Sequence, residues 1–253
     1  MQRWKLTIEF DGKGFFGWQR QDEGFSVQQV LEEALFKMTD GQECRLHAAG
    51  RTDSGVHGTG MVAHVDLEKD YTPLVVRNAL NALVRPHKIA VLKAEKVSME
   101  FHARFGATQR RYRYVICNRP VPLMIGSDYA WHVGKKLDID KMQIAANELL
   151  GLHDYSSFRA IRCQAKSPIR SIDSFNITRE GEFVYIDVEA RSFLHHQVRN
   201  MVGTLKKIGE GKWPVSAMKE ILESRDRTKA GPTAPPEGLF FVGVDYPEDT
   251  GSK

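Results

Sequence analysis

Hydrophobic and polar residues change their spacing several times along the first hundred residues. The residues from Trp4 to Phe10 alternate strictly, which predicts a half-buried strand. Apolar residues then recur at helical spacing from Val27 to Met38, where Ser26 predicts the N-cap and Gln29 completes a capping box. Further strands are predicted over 44–49, 61–67 and 88–97, with a helix beginning at Thr72-Pro73. This β-α-β-β-α-β order is that of a ferredoxin-like unit.

The rest of the chain repeats the theme more loosely. Strands are predicted over 105–117, 169–178, 183–190 and 239–246, with Glu180-Gly181 as a hairpin turn. Helices are predicted over 138–150, 193–208 and 215–223. We therefore predict an α+β fold of two ferredoxin-like α/β halves, with mainly antiparallel mixed sheets flanking a central active-site cleft. The predicted domains are residues 1–105 and 106–247, and residues 248–253 are predicted to form a frayed tail.

The distribution of charge is more informative than its sum. The chain has 253 residues and a net charge of only +4, which by itself indicates no particular partner. However, the segment from Phe101 to Ser127 contains no acidic residue, and neither does the segment from Tyr155 to Ile172, which includes Arg162. Both segments mix arginines with aromatic residues. This pattern favours a polyphosphate partner such as a nucleic acid.

Cysteines and apolar runs limit the class of protein. The three cysteines are far apart and form no C-x-x-C pair, which argues against a zinc ribbon or a redox motif. So sparse a count is typical of a reducing compartment. The N-terminus lacks the apolar block of a signal peptide, and no run approaches the ~20 apolar residues that span a bilayer. The sequence thus predicts a cytoplasmic protein without a membrane partner.

The segment from Gly50 to Gly58, GRTDSGVHG, carries the most concentrated chemistry. It combines a cation, a hydroxyl, a carboxylate and an imidazole with three glycines, and apolar segments flank it. Such a loop allows close backbone approach while holding one carboxylate in a fixed pose. From spacing alone, Asp53 is more typical of a turn residue than of a catalytic one. Arg51 suits either a surface cation or a partner for Asp53.

Two further segments contain candidate functional residues. On the strand that contains Arg110-Arg111-Tyr112-Arg113-Tyr114, the tyrosines face one side and Arg111 and Arg113 the other. The tyrosines suit either a core or a stacking platform for a base, with phosphate contacts nearby. In the segment Phe193–Met201, Arg199 lies beside apolar residues, which predicts a half-buried and paired guanidinium.

Taken together, five separated motifs resemble those of the tRNA pseudouridine synthase A (TruA) family over nearly the whole chain. They occur in the family's order and at matching spacing. They are FDGKGFFGWQRQ (10–21), GRTDSGVHG (50–58), the stretch from FHARF to YRY (101–114), FLHHQVRNMVG (193–203) and EGLFFVGVDY (237–246). Any one of them alone would be a weak signal, whereas the combination is specific.

The resemblance implies a fold, an activity and partners. It implies the pseudouridine synthase fold and the isomerisation of uridine to pseudouridine at positions 38, 39 and 40 of the tRNA anticodon arm, with base flipping. It implies no cofactor and no metal. It also implies a homodimer that holds the anticodon stem-loop of tRNA in basic clefts. Which tRNAs are substrates stays open.

Residue by residue, the resemblance implies three catalytic groups. Asp53 matches the nucleophile, although whether its carboxylate adds to the base or to the sugar stays open. Tyr112 matches the active-site tyrosine that stacks on the target base. Arg199 matches the basic residue that pairs with the aspartate and keeps it ionised.

Further positions are implied to bind the substrate. Leu239 matches the apolar residue that closes the pocket, and Arg51 matches an arginine that helps to turn the nucleotide out of its stack. Arg110 and Arg113 are expected to contact the RNA backbone, since they lie in the acid-free segment. We also expect the loop from Gly12 to Arg20 to lie along the RNA.

Two other functions remain open at this stage. The first is a catalytically silent protein that binds structured RNA through the same basic and aromatic residues. The second is a metal-dependent hydrolase with Asp53, His57 and His64 as ligands. The hydrolase is the weaker alternative, because a catalytic metal site usually needs a further clustered carboxylate or histidine.

Overall fold

A computed structural model describes residues 1–22, 24–161 and 163–247. Arg162 and the predicted tail at 248–253 therefore lie outside the described residues. The chain forms two compact units. The first combines Met1–Thr108 with the chain from Phe241 onwards, and the second is Gln109–Phe240.

The first unit has the predicted β-α-β-β-α-β order. Its strand β1 lies between β3 and β4, pairs antiparallel with both, and β2 is a short strand on β3. The strand order is β4-β1-β3-β2, and each helix connects two strands that have a third strand between them. The ferredoxin-like prediction is therefore confirmed for this unit. The elements are β1 (Gln2–Phe10), α1 (Val27–Met38), β2 (His47–Ala48), β3 (His57–Leu67), α2 (Pro73–Leu83) and β4 (Ile89–Val97).

Local sequence explains these elements. The alternation in β1 buries the side chains of Trp4, Leu6 and Ile8 completely. The Ser26 side chain accepts a hydrogen bond from the backbone N–H of Gln29, which confirms the predicted N-cap of α1. The second half of the capping box was wrong, because the Gln29 amide donates to Glu33 one turn further along the helix.

The second unit is also α+β. Its strands follow the order β5-β9-β8-β7 with antiparallel pairing, and β6 lies parallel to β5. The helix α3 packs on β8 and α4. The elements are β5 (Gln109–Cys117), β6 (Trp131–His132), α3 (Ile139–Asn147), β7 (Gly151–Asp154), β8 (Ile169–Glu180), β9 (Phe183–Ala190), α4 (Gln197–Gly209) and α5 (Ala217–Ser224). The predicted fold class, α+β with mostly antiparallel sheets, is thereby confirmed.

The start of α4 differs from the prediction. Apolar spacing predicted a helix from Phe193, yet the helix begins at Gln197. His196 adopts a left-handed backbone conformation with φ of 62°, which interrupts a helix, and the Gln197 side chain accepts a hydrogen bond from the backbone N–H of Leu194 at 2.8 Å. Phe193 and His195 are therefore not on helical faces.

The last strand, β10 (Leu239–Asp245), carries the chain back into the first unit. A Cβ on Gly60 of β3 would lie 2.3 Å from the carbonyl oxygen of Val242, so only glycine permits this close approach. The Tyr246 hydroxyl donates to the carbonyl of Ala103 at 2.8 Å. The sequence prediction had assigned residues 241–247 to the second half, because an alternating pattern predicts a strand but does not name its pairing partner.

Among the described residues, no helix is both long and apolar enough to cross a membrane.

Candidate active site

Asp53 lies in a closed turn between β2 and β3 of the first unit. The backbone N–H of Val56 donates to the carbonyl of Asp53 at 3.2 Å, and Gly55 has a φ of 78°, which favours glycine. The Asp53 side chain is partly buried. The turn therefore presents one carboxylate in a defined pose without removing it fully from solvent.

A glycine-rich loop holds this turn through its backbone. The N–H of Trp18 donates to the carbonyl of Thr52 at 3.1 Å, and the Ser54 hydroxyl donates to the carbonyl of Phe15 at 3.1 Å. A Cβ on Gly17 would lie 2.4 Å from the carbonyl oxygen of Thr52. The two segments are thus in main-chain contact, which explains why the motif at 10–21 is rich in glycine.

His57 anchors the same two segments. The N–H of Gly12 donates to His57 Nδ1 at 3.0 Å, and Asp11 Oδ1 lies 3.2 Å from that nitrogen. The other oxygen of the Asp11 carboxylate lies 2.9 Å from Lys88 Nζ. Because the His57 side chain is 2% exposed, this contact is part of the core beneath the Asp53 turn.

His64 is equally engaged. Its Nδ1 accepts a hydrogen bond from the backbone N–H of Ala103 at 3.2 Å. Burial, and secondly the charge of Arg3, lower the pKa of His64 to about 4. Backbone hydrogen bonds thus occupy Nδ1 of both His57 and His64, which argues against the proposed metal-dependent hydrolase.

Two arginines lie near each other in the first unit. Arg51 and Arg104 are both exposed. Partial burial, and secondly the charge of Arg104, lower the pKa of the Arg51 guanidinium. Two positive charges close together attract an anion. The acid-free segment that contains Arg104 favours an RNA phosphate as that anion.

The structure separates the roles of the two tyrosines on β5. Tyr114 is completely buried, its hydroxyl donates to the carbonyl of Pro235 at 2.8 Å, and burial raises its pKa. Tyr112 is only partly buried, and its ring meets the ring of Phe193 edge-on at 5.1 Å between centroids. The sequence left both tyrosines as candidates for core or stacking roles, and the exposure leaves Tyr112 as the candidate for stacking.

Arg199 is half-buried on α4 and tied to a loop of its own unit. Its Nε donates to the carbonyl of Ala234 at 2.7 Å, and its own carbonyl accepts from the N–H of Ala234 at 3.1 Å. This reciprocal pair orients the guanidinium. The predicted half-burial is observed, and the pairing of Arg199 with a carboxylate stays a prediction.

Sequence analysis missed the polar network that holds this loop. Asn200 is completely buried, and its Oδ1 accepts hydrogen bonds from Thr233 Oγ1 at 2.7 Å and from Arg227 Nη2 at 3.0 Å. A Cβ on Gly203 would lie 1.7 Å from the carbonyl oxygen of Pro232. An asparagine and a glycine on the apolar side of a helix were the available signals, because each weakens a helix unless it has a packing role.

Three predicted substrate-binding residues have internal contacts. The Arg110 side chain is buried, and its guanidinium donates to the carbonyl of Arg191. Arg113 forms two hydrogen bonds with Asp187 on β9, at 2.7 and 3.0 Å. Leu239 is 5% exposed. The contacts of these three residues with RNA remain predictions. The burial of Arg110 favours a structural role for that residue.

These features define a class of protein. A glycine-bound turn that presents one carboxylate, with two interacting guanidiniums in the same unit, suits an enzyme that attacks RNA with an aspartate. The sequence model of the family described as tRNA pseudouridine synthase matches residues 6–106 and 145–247. The chain belongs to this family, and it is therefore an isomerase that converts uridine to pseudouridine in tRNA.

Individual relatives are similar along their whole length. The chain is 56% identical to tRNA pseudouridine synthase A of Paramagnetospirillum magneticum, over 97% of this chain and 96% of that protein. It is 52% identical to tRNA pseudouridine synthase A of Methylocella silvestris, over 98% of this chain and 100% of that protein. A chain in the crystal structure of a Cbf5-Nop10-Gar1 complex is 13% identical with a TM-score of 0.38, over 81% of this chain and 44% of that one, which is too distant to support an argument.

Proposed function

We propose that this isomerase modifies uridines 38, 39 and 40 in the anticodon arm of tRNA, with Asp53 as the nucleophile. The observation that supports the nucleophile is the turn itself. Asp53 is the carboxylate of a turn closed by Gly55 and bound along its backbone by the glycine-rich loop around Gly17. A nucleophile needs such a fixed pose, because its distance from the reacting atom decides the rate.

The reaction has particular chemical requirements. The base is detached from C1′ of the ribose, turned, and rejoined through C5. An ionised carboxylate suits this, since it has to act both as nucleophile and as leaving group. Nothing is oxidised and no group is carried away, so the proposal includes neither a cofactor nor a metal. The enclosed site has to keep the detached uracil beside the sugar, which is catalysis by proximity.

The remaining roles follow from the chemistry of the side chains. A carboxylate taken out of water tends to bind a proton, and a nearby cation opposes this; we assign that part to Arg199. Tyr112 is proposed to stack on the target base, and Leu239 to close the pocket. Turning out the nucleotide costs a few kcal/mol, which cationic contacts such as those of Arg51 offset.

The same proposal includes an assembly and a compartment. We propose a homodimer that holds the anticodon stem-loop of one tRNA across both subunits, in the cytoplasm. The sparse cysteines support the compartment, and the two acid-free segments support the RNA partner. The homodimer is taken from the resemblance to the family. Sedimentation of the free protein and of its tRNA complex measures the assembly: a 1:1 complex of one protomer with one tRNA would contradict it.

Substitution of the carboxylate tests the nucleophile. The variant Asp53→Asn keeps the shape of the side chain but removes its charge, so it should retain tRNA affinity and lose tritium release from tRNA labelled at uridine C5. A matched control is Asp140→Asn, which makes the same change at an exposed position of α3. Tritium release by Asp53→Asn at the rate of the control would refute the assignment.

Two substrate experiments complete the test. Wild-type protein that binds tRNA but releases no tritium would support the silent RNA-binding alternative. Single replacement of uridine 38, 39 or 40 by cytidine should remove the tritium released from that position alone. Unchanged release from all three substituted tRNAs would place the modified uridines elsewhere.

A further inference from the structure

The first unit also carries a cluster of flat rings, which come from β2, β3 and the segment that follows β4. The imidazoles of His47 and His64 are stacked with centroids 5.0 Å apart, and His64 meets His102 at 4.7 Å. The Phe105 ring continues the cluster, with its centroid 4.4 Å from that of His102. Phe105 is 75% exposed and His47 is also exposed, so the outer rings face solvent.

The central imidazole of the cluster, that of His102, accepts two backbone hydrogen bonds on one ring nitrogen. The N–H groups of Arg104 and Phe105 both donate to Nδ1 of His102, at 3.1 and 3.2 Å, so this nitrogen carries no proton. Burial is the main factor that lowers the pKa of His102. The proton therefore lies on Nε2, for which the described residues offer no acceptor. His102 thus combines a stacking face with a hydrogen-bond donor at Nε2.

Charged residues of both signs lie around the ring cluster. Arg104 lies on one side, with its guanidinium carbon 5.8 Å from the Phe105 ring, and its charge acts on Arg51. His47 and His102 also line a hollow of about 760 Å³. Acidic residues outnumber basic ones on its wall, which includes Asp40, Glu43, Asp66 and Glu68 beside Arg3 and Arg45. Guanidiniums suit a phosphate, and carboxylates suit the amino groups of a base.

We propose that His47, His102 and Phe105 form a stacking subsite for one unpaired nucleotide of the tRNA other than the target uridine. The base stacks on the rings and directs its amino edge towards the hollow, while Arg104 binds the adjoining phosphate. A nucleotide matches the subsite because its phosphate suits Arg104 and the amino group of its base suits the acidic residues of the hollow. A protein surface does not in general combine these two groups with a flat ring. The subsite rests on the proposed function, because it takes its ligand from the same RNA.

Removal of one ring tests the stacking. In an Asp53→Asn background, which prevents turnover, Phe105→Ala should weaken tRNA binding about tenfold, since one base stacked on an aromatic ring has an effect of that order. Phe105→Trp should retain the affinity. The matched control is Phe36→Ala, which removes an exposed ring from α1 in the same unit and should leave the affinity unchanged.

The dependence of affinity on salt separates stacking from charge. Phe105→Ala should leave the slope of log Kd against log salt concentration unchanged, because it removes no charge. Arg104→Ala should reduce this slope by about one phosphate contact, relative to the control Lys37→Ala on α1.

Other outcomes would overturn the subsite. Equal tRNA affinity for Phe105→Ala and Phe36→Ala would exclude stacking. A Phe105→Ala variant whose mass in solution falls from dimer to monomer would show that a second copy of the chain covers the ring instead. Tritium release by the wild-type protein distinguishes the two proposals. If Phe105→Ala refutes the subsite while the wild-type protein still releases tritium from tRNA, the proposed function stands.

Discussion

The two units hold their functional segments by different means. In the first unit, the Asp53 turn is bound mainly by backbone groups of a neighbouring loop, and Gly17 fits because it has no Cβ. In the second unit, the loop that binds Arg199 is held by buried side chains around Asn200. Close main-chain contact fixes the Asp53 turn because it leaves no space for additional atoms. The side-chain network fixes the Arg199 loop because it satisfies the hydrogen-bond donors and acceptors there.

The two modes of support predict different tolerance to substitution in the two units. A backbone clamp is insensitive to most side chains but intolerant of a single added carbon, because a carbonyl oxygen cannot rotate away as a side chain does. A polar network tolerates small changes of volume but not the loss of one partner, because the remaining buried groups are then unsatisfied. Three substitutions, each with its own control or second variant, test this contrast.

The largest effect is expected for Gly17→Ala. The new Cβ would lie 2.4 Å from the carbonyl of Thr52, so the Asp53 turn has to shift. We expect a loss of about 3 kcal/mol in the free energy of unfolding, which combines overpacking with the left-handed backbone of Gly17. Tritium release should fall about 100-fold, because a displacement of about 1 Å in a catalytic group has that effect.

Gly14→Ala is the matched control for this experiment. Gly14 has nearly the same φ, 84° against 83°, but a Cβ there would meet no atom within 4 Å. It should cost about 1 kcal/mol in stability and leave the rate almost unchanged. If both variants behaved alike, the backbone clamp would be an incorrect account of the first unit.

A smaller effect is expected for Thr233→Val in the second unit. This nearly isosteric change removes the hydroxyl between Asn200 and Arg227, and should reduce the free energy of unfolding by about 1–3 kcal/mol. Since the adjacent Ala234 binds Arg199, kcat should fall while the Kd for tRNA stays the same.

The control for this change is Thr228→Val. The Thr228 hydroxyl is exposed and donates to the nearby Asp226, so its loss should change stability by less than about 0.5 kcal/mol. A fall in stability for Thr233→Val without any change in kcat, measured well below the unfolding temperature, would show that the network supports the fold but not Arg199.

The smallest effect is expected for Arg113→Ala. Arg113 and Asp187 form an ion pair with both side chains at least a third exposed, so the change should cost less than about 1 kcal/mol in stability. If Arg113 nevertheless contacts the RNA backbone, its loss should weaken tRNA binding and reduce the salt dependence of the affinity. The double variant with Asp187→Ala distinguishes the two roles: unchanged affinity in both variants would remove Arg113 from the RNA surface.

Particular elements show how far the sequence reaches. The period of two in β1, the Ser26 cap of α1 and the Pro73 start of α2 are local patterns, and each appeared where it was predicted. The start of α4 was predicted four residues too early, because the left-handed conformation of His196 leaves no mark in hydrophobic spacing. The short strands β6 and β7 were also missed, since two to four residues carry too little period to detect.

The α+β class, the order of elements in the first unit and the family could all be inferred from the amino-acid sequence, because periodicity, caps and spaced motifs are properties of the chain. Three features became evident in the folded molecule alone: Val242 joins the first unit, Tyr114 rather than Tyr112 is buried, and Asn200 braces the Arg199 loop. Those outcomes depend on contacts between residues far apart in the sequence. Such contacts depend on which backbone segments pair and on the space that a glycine leaves. Neither can be read from a local sequence pattern.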